Sequence, residues 1–194
     1  MVKKNVAVLV SGGGTNLQAL IDAEKSGIIK SGTISLVVSN KETAYALERA
    51  KNAGIEGMYI PRGKDFEASL IKVLEERNIE FIVLAGFLSI LSESFVKKYD
   101  KKIINVHPSL IPSFCGDGFY GLKVHEAALE KGVKVTGATT HFVNEITDGG
   151  EIIMQKAVEI SDDDTPESLQ LKVMQEAEWI ILPLSVEKVC SELA

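Results

Sequence analysis

Five short apolar runs alternate along this chain with longer stretches in which apolar residues return every three or four positions. Val6-Ala7-Val8-Leu9-Val10 and Phe81-Ile82-Val83-Leu84-Ala85 are continuous, the pattern of strands buried on both faces of a parallel sheet. Residues 34–38, 57–60 and 103–106 add three more strands, and the amphipathic stretches between them predict helices over 17–26, 44–53, 66–77 and 93–99. Segment 113–121 is rich in glycine and aromatic residues and reads as a mobile surface loop; a helix follows over 122–131. Residues 135–142 and 151–160 are strand-like, and their short connection permits an antiparallel hairpin. The last helix opens at Thr165-Pro166, with a capping hydroxyl, a proline in the first turn and acids near its positive end. The pattern predicts an α/β fold: a doubly wound, mostly parallel, Rossmann-like sheet with an antiparallel hairpin near the C-terminal part, in one domain over 1–194.

With 194 residues, 45% hydrophobic and 25% charged, the chain can bury a sizeable core. A net charge of −6 without a basic stripe removes the electrostatic footprint of a nucleic-acid binder. The longest apolar run, 81–88, is far short of the roughly 20 residues a membrane span needs. The expectation is a cytoplasmic protein with small-molecule partners, no nucleic acid and no membrane. Cys115 and Cys190 have neither metal-ligand nor Cys-x-x-Cys spacing, which predicts free thiols in a reducing compartment.

Three places carry chemistry. The first strand ends in Ser11-Gly12-Gly13-Gly14-Thr15-Asn16, and the helix follows at once, so backbone N–H groups at a helix start face outward as an anion site. A dinucleotide fingerprint would need a glycine where Leu17 stands, and a P-loop would need Gly-Lys-Ser/Thr; a single phosphomonoester fits best. The second place is Ile103-Ile104-Asn105-Val106-His107-Pro108-Ser109-Leu110-Ile111-Pro112. Asn105 and His107 lie two apart on a strand and project to the same side, while Pro108 ends the strand at the sheet's carboxyl edge, where open α/β sheets bind ligands. The third is Asp148-Gly149-Gly150, whose plain reading is a hairpin turn and whose functional reading is an acid that orients and charges the imidazole. Leu88, Ser89, Ile90 and Leu91 either wall a pocket for a flat ring or form core under a loop. Glu178 interrupts an apolar stripe with Met174 and Ile181, so it is either edge-exposed or binds something polar. His125 reads as packed or solvent-facing, and His141 as structural. Motifs for an activated Ser or Cys, His-Glu-x-x-His and metal-ligand clusters are missing, so covalent and metal catalysis are disfavoured, with no metal expected. An Asn–His donor pair, an acid and a phosphate anchor suit direct acyl transfer through a tetrahedral intermediate.

Ser11 to Gln18, Leu84-Ala85-Gly86-Phe87, Asn105 to Pro112, His141-Phe142-Val143 and Asp148-Gly149-Gly150, in this order, resemble the folate-dependent formyltransferases over nearly the whole chain, most closely those of purine synthesis. The resemblance implies an enzyme that moves the formyl group of 10-formyltetrahydrofolate to the amine of glycinamide ribonucleotide. It puts the acceptor's phosphate on Gly14, Thr15 and Asn16 and its ribose on Glu178. It implies that Asn105 and His107 hold the oxyanion, while Asp148 keeps His107 charged and assists proton transfer. Leu88, Ser89, Ile90, Leu91, Asn105, Val143, Thr147 and a basic residue, Arg62 or Lys64, would take the folate. The family often carries a basic residue where Ser89 stands, a departure in this chain. A monomer or a homodimer fits equally. A phosphate-ligand binding protein without catalysis is the alternative from a different class; a turnover assay discriminates them.

Overall fold

The computed structural model describes residues 2–193. Continuous apolar runs become strands β1 (Lys4–Val10), β2 (Gly32–Ser39), β4 (Phe81–Leu84) and β5 (Ile103–His107), with a short β3 (Glu56–Tyr59). The periodic stretches between them become α1 (Thr15–Lys25), α2 (Tyr45–Asn52), α3 (Phe66–Glu76) and α4 (Glu93–Lys98). Helix α5 (Leu122–Lys131) leads into β6 (Val135–Phe142) and β7 (Ile152–Glu159). The C-terminal helix has three parts: α6 (Pro166–Val173), a π-helical turn (Met174–Glu178) and α7 (Trp179–Glu192).

The strands form one seven-stranded sheet in the order β3-β2-β1-β4-β5-β6-β7. The first five are parallel; β6 runs antiparallel to β5 and β7 antiparallel to β6, so the expected hairpin is the sheet's continuation. Alternation along β1 builds both faces at once. Val6, Val8 and Val10 join Leu17, Leu20, Leu182 and Val186 of α1 and α7 on one side. Ala7 and Leu9 join Phe66, Leu70, Leu74 and Phe95 of α3 and α4 on the other. Each such large side chain taken fully out of water contributes roughly 1.5–3 kcal/mol, and β1, between β2 and β4, carries them on both of its faces. A third cluster, Ala138, Val158, Leu169, Val173, Ala177 and Ile181, seats α6 against the hairpin.

The strand order reverses between β1 and β4, so the chain leaves their carboxyl ends toward opposite faces and opens a crevice there. The glycine turn after β1, residues 86–91 after β4 and the end of β5 all meet at this edge. The expected single stripe through Met174, Glu178 and Ile181 does not form. Leu169, Val173, Ala177 and Ile181 make one buried series at spacing four, and Glu178, Leu182, Val186 and Cys190 make a second beside it. The extra residue of the π turn passes the helix from one series to the next, so Ala177 and Glu178 both point inward.

Candidate active site

The crevice is a cleft of about 870 Å³. At one end lies the glycine turn. The carbonyls of Gly12 and Gly13 are tied to α2 by Ala46 N–H (3.1 Å) and Arg49 Nε (2.8 Å). Among the described residues no side chain caps α1, so its first-turn N–H groups remain for an anion. Gly14 caps α1 in the left-handed region at φ 73°, and a Cβ there would stand 2.7 Å from Ala46 Cβ. Gly12 and Gly13 have nothing within 4 Å of a Cβ position. Gly14 is therefore required by the packing of α2 on the turn, and Gly13 meets no such constraint.

Asn16, on the first turn of α1, donates from Nδ2 to Glu178 Oε2 at 2.7 Å, and both side chains are buried. Burial pushes the Glu178 carboxyl up to about 7, with Asn16 pulling the other way. Asn16 Oδ1 is buried and has no partner among the described residues. Glu178 is thus a cleft group bonded to α1, not an edge-exposed one.

At the cleft's centre the β5–β6 register places Asn105 opposite His141 and His107 opposite Thr139. Asn105 Nδ2 lies 3.2 Å from His141 Nε2, leaving a second amide hydrogen for the cleft. His141 Nδ1 lies 2.8 Å from the Phe142 carbonyl, which can only accept, so Nδ1 carries hydrogen, and Nε2 faces both the Asn105 amide and Asp148. Asp148 stands between the two imidazoles: Oδ2 is 3.4 Å from His107 Nδ1 and Oδ1 3.5 Å from His141 Nε2. Gly116 N–H donates to the same Oδ2 at 2.9 Å. The sequence reading of His141 as structural is incomplete, because it orients Asn105 and flanks Asp148. The signal was the antiparallel pairing, which puts residue 141 across from 105 once the register is known.

His107 Nε2 donates to the Phe114 carbonyl at 2.8 Å, and the ring is almost fully buried. Burial lowers the His107 pKa from its ordinary value, against the charge of Asp148 and the Phe114 carbonyl, which raise it. Asp148 thus pulls toward the charged ring and desolvation outweighs it. Burial alone would raise the Asp148 carboxyl, but His141, the His107 charge and the Gly116 N–H together hold it below the usual carboxylate range. Cys115, beside this group, has its thiol pushed up by burial and by the Asp148 charge, the opposite of an activated nucleophile. Both cysteines are free.

At the other end, Leu88, Ser89, Ile90 and Leu91 line the cleft with Val143 and Thr147, and Leu88 and Ile90 are 52% and 84% exposed. Leu88 and Ile90 are therefore wall, while Leu91 also packs against the core cluster of α3 and α4. Of the two basic residues, Arg62 lines this end of the cleft and Lys64 is not among the residues that line it. The Asn40 amide is satisfied with its oxygen accepting from Arg62 Nε (3.1 Å) and Ser89 Oγ (2.8 Å) and its nitrogen donating to Ser11 Oγ (2.9 Å). Ser11 Oγ also accepts from Leu88 N–H at 2.9 Å. This network joins the glycine turn to residues 88–89 and gives Ser89 a structural bond. Lys41, which follows Asn40, lines the same end. Neither Asn40 nor Lys41 has a sequence signal beyond its place at the carboxyl end of β2.

Among the described residues, no helix is long and apolar enough to cross a membrane, and no group of three or more His, Cys, Asp or Glu is placed to hold a metal ion.

Residues 4–186 match the formyl transferase family. The trifunctional purine biosynthetic protein adenosine-3 of Gallus gallus is 45% identical over 97% of this chain, which spans 19% of that protein. The chloroplastic phosphoribosylglycinamide formyltransferase of Arabidopsis thaliana is 37% identical over 98% of this chain and 66% of its own length. The chain thus spans less than two thirds of these curated relatives. The solved structure of glycinamide ribonucleotide transformylase 1 from Symbiobacterium toebii superposes with a TM-score of 0.90 at 35% identity, covering 98% of this chain and 89% of that one. With its mostly parallel sheet, its switch-point cleft and a match over almost its whole length, the chain belongs to the formyl transferase family.

Proposed function

We propose that the chain is a phosphoribosylglycinamide formyltransferase, moving the formyl group of 10-formyltetrahydrofolate to the amine of glycinamide ribonucleotide in purine biosynthesis. The observation that carries the reading is one cleft with an uncapped helix start at one end, an apolar wall at the other and Asn105, His107 and Asp148 between them. The acceptor's phosphate takes the N–H groups of Gly14, Thr15 and Asn16, and its ribose hydroxyls take Glu178. The folate ring lies along Leu88, Ile90, Leu91 and Val143, with Asn105, Ser89 and Thr147 as polar neighbours. The cations of Lys41 and Arg62 serve its carboxylates in place of Lys64.

In this reading the amine lone pair adds to the formyl carbon and the carbonyl oxygen becomes an oxyanion. The second Asn105 hydrogen and the His107 Nε2–H donate to that oxygen, which replaces the Phe114 carbonyl as partner of Nε2. Such donors matter most as charge develops, because they are already oriented. Asp148 faces Nδ1, the position where a second proton on His107 would sit, and so stabilises the imidazolium. Collapse of the intermediate breaks the bond from carbon to folate nitrogen. The amine loses a proton and the folate nitrogen gains one, giving the formylated amide and tetrahydrofolate. A cytoplasmic setting fits the two free cysteines, small molecules are the partners, and a monomer or homodimer serves the reaction equally, since the cleft is built within one chain.

The test is turnover with both substrates in the wild type and in Asn105→Ala and His107→Ala. Each variant should lose roughly 100- to 1,000-fold in turnover with little change in acceptor affinity. Phosphate-dependent binding without any turnover in the wild type would instead make the chain a ligand-binding protein.

A further inference from the structure

Helix α5 buries Val124, His125 and Ala128. Val124 and Ala128, four apart, are the apolar ridge that seats the helix. His125 lies beside that ridge, is 0% exposed and forms part of the cleft wall. Neither of its ring nitrogens has a hydrogen-bond partner among the described residues. Burying such a group unbonded costs roughly 1–3 kcal/mol, and an apolar residue would avoid the cost. With His125 on the cleft wall, a ligand in the cleft is a partner for the bonds its ring leaves unmade.

Its surroundings say which part of the cleft. α5 packs against α6, whose extension carries Met174 and Glu178 on the cleft wall, and the His125 ring feels the charge of His107. His125 therefore lies on the acceptor's side, between the Glu178 end and the reacting centre, away from the apolar wall at residues 88–91. Burial and His107 lower its pKa to about 4, so near neutrality the ring is uncharged, with one donor and one acceptor. A neutral ring of that kind is matched to hydroxyl and amide groups rather than to a phosphate.

We propose that His125 is an acceptor-binding residue, hydrogen-bonded to the hydroxyl or amide groups of glycinamide ribonucleotide that lie between its phosphate and its amine. The inference rests on the formyl-transfer reading and adds a contact that none of the sequence motifs supplies. Calorimetric dissociation constants of wild type, His125→Leu and His125→Gln should be measured for glycinamide ribonucleotide, ribose 5-phosphate and tetrahydrofolate, alongside thermal melts. His125→Leu should weaken glycinamide ribonucleotide by about tenfold, leave tetrahydrofolate unmoved and hold or raise the melting temperature of the free protein. His125→Gln, which keeps a donor and an acceptor, should recover part of the affinity. A loss that persists with ribose 5-phosphate assigns the contact to a hydroxyl, and a loss that vanishes there assigns it to the amide. Unchanged acceptor affinity in a folded His125→Leu, or an equal fall for acceptor and folate with a lowered melting temperature, overturns the inference. Failure of the wild type to bind glycinamide ribonucleotide would overturn the formyl-transfer reading itself.

Discussion

At the scale of single residues, the cleft's ionisable groups are set by burial first and by partners second. Asp148 shows why the sequence left two readings open: it sits in the left-handed region at φ 54°, as a turn residue would, and its carboxylate also faces two imidazoles. Asn tolerates that backbone but carries no charge. Asp148→Asn should keep its fold while turnover falls by about 100-fold or more, and His107 should titrate still lower once the opposing charge is gone. NMR titration of His107 with pH–rate profiles in both proteins checks this; an unmoved titration with full activity would return Asp148 to the turn. Glu178 makes a second prediction, this time on stability. Its folded pKa of about 7 lies above its ordinary 4.5, so the folded state holds the proton more tightly. The associated stability is complete below pH 4.5 and is lost as pH rises through 7, amounting to ~3 kcal/mol at 1.36 kcal/mol per unit. Glu178→Gln never ionises. Urea denaturation between pH 5 and 8 should find the variant gaining on the wild type by about that much toward the alkaline end, while its acceptor affinity falls.

At the scale of elements, the strands and helices were legible because each carried one unbroken period, and the miss occurred where a period breaks. The expected stripe through Met174, Glu178 and Ile181 assumed one α-helix. The π turn instead sets two series side by side, and no residue between Val173 and Trp179 marks the insertion. The glycine turn was legible as an anion site, but its glycines have different reasons to be there. A Cβ on Gly14 would collide with both Cβ and Cα of Ala46, and its φ of 73° disfavours any side chain. Gly13 has neither constraint. Gly14→Ala should therefore displace α2 and lower stability by roughly 1–3 kcal/mol, while Gly13→Ala should melt like the wild type and bind the acceptor more weakly. Thermal melts paired with calorimetric titration separate the two. A Gly13→Ala protein with wild-type affinity would place the phosphate elsewhere.

At the scale of the whole molecule, the sequence disclosed the polar centre better than the rim. Asn105, His107 and Asp148 carry motifs, because few residue types can donate to an oxyanion or charge an imidazole. Arg62, Asn40 and Lys41 gather only when the segments that follow β2, β3 and β4 come together at the sheet's carboxyl edge, and contacts across 49 residues, such as that of Asn40 with Ser89, leave no local trace. Yet every one of these residues hangs from the same seven-stranded sheet, with the acceptor end built on the β1–α1 turn and the π-helical turn and the folate end on β4 and the β6–β7 connection. If residues 1–194 are one domain, no part of the cleft can open without loosening the sheet that supports the rest. Calorimetric unfolding should then show a single transition, and glycinamide ribonucleotide at 100 times its dissociation constant should move all of it. The expected gain is ~2.7 kcal/mol, a rise of roughly 5–11 °C for a chain of this size, with inorganic phosphate giving less because it reaches only the α1 end. Two transitions, of which the ligand shifts one, would divide the sheet into independent units and overturn the single-domain assignment.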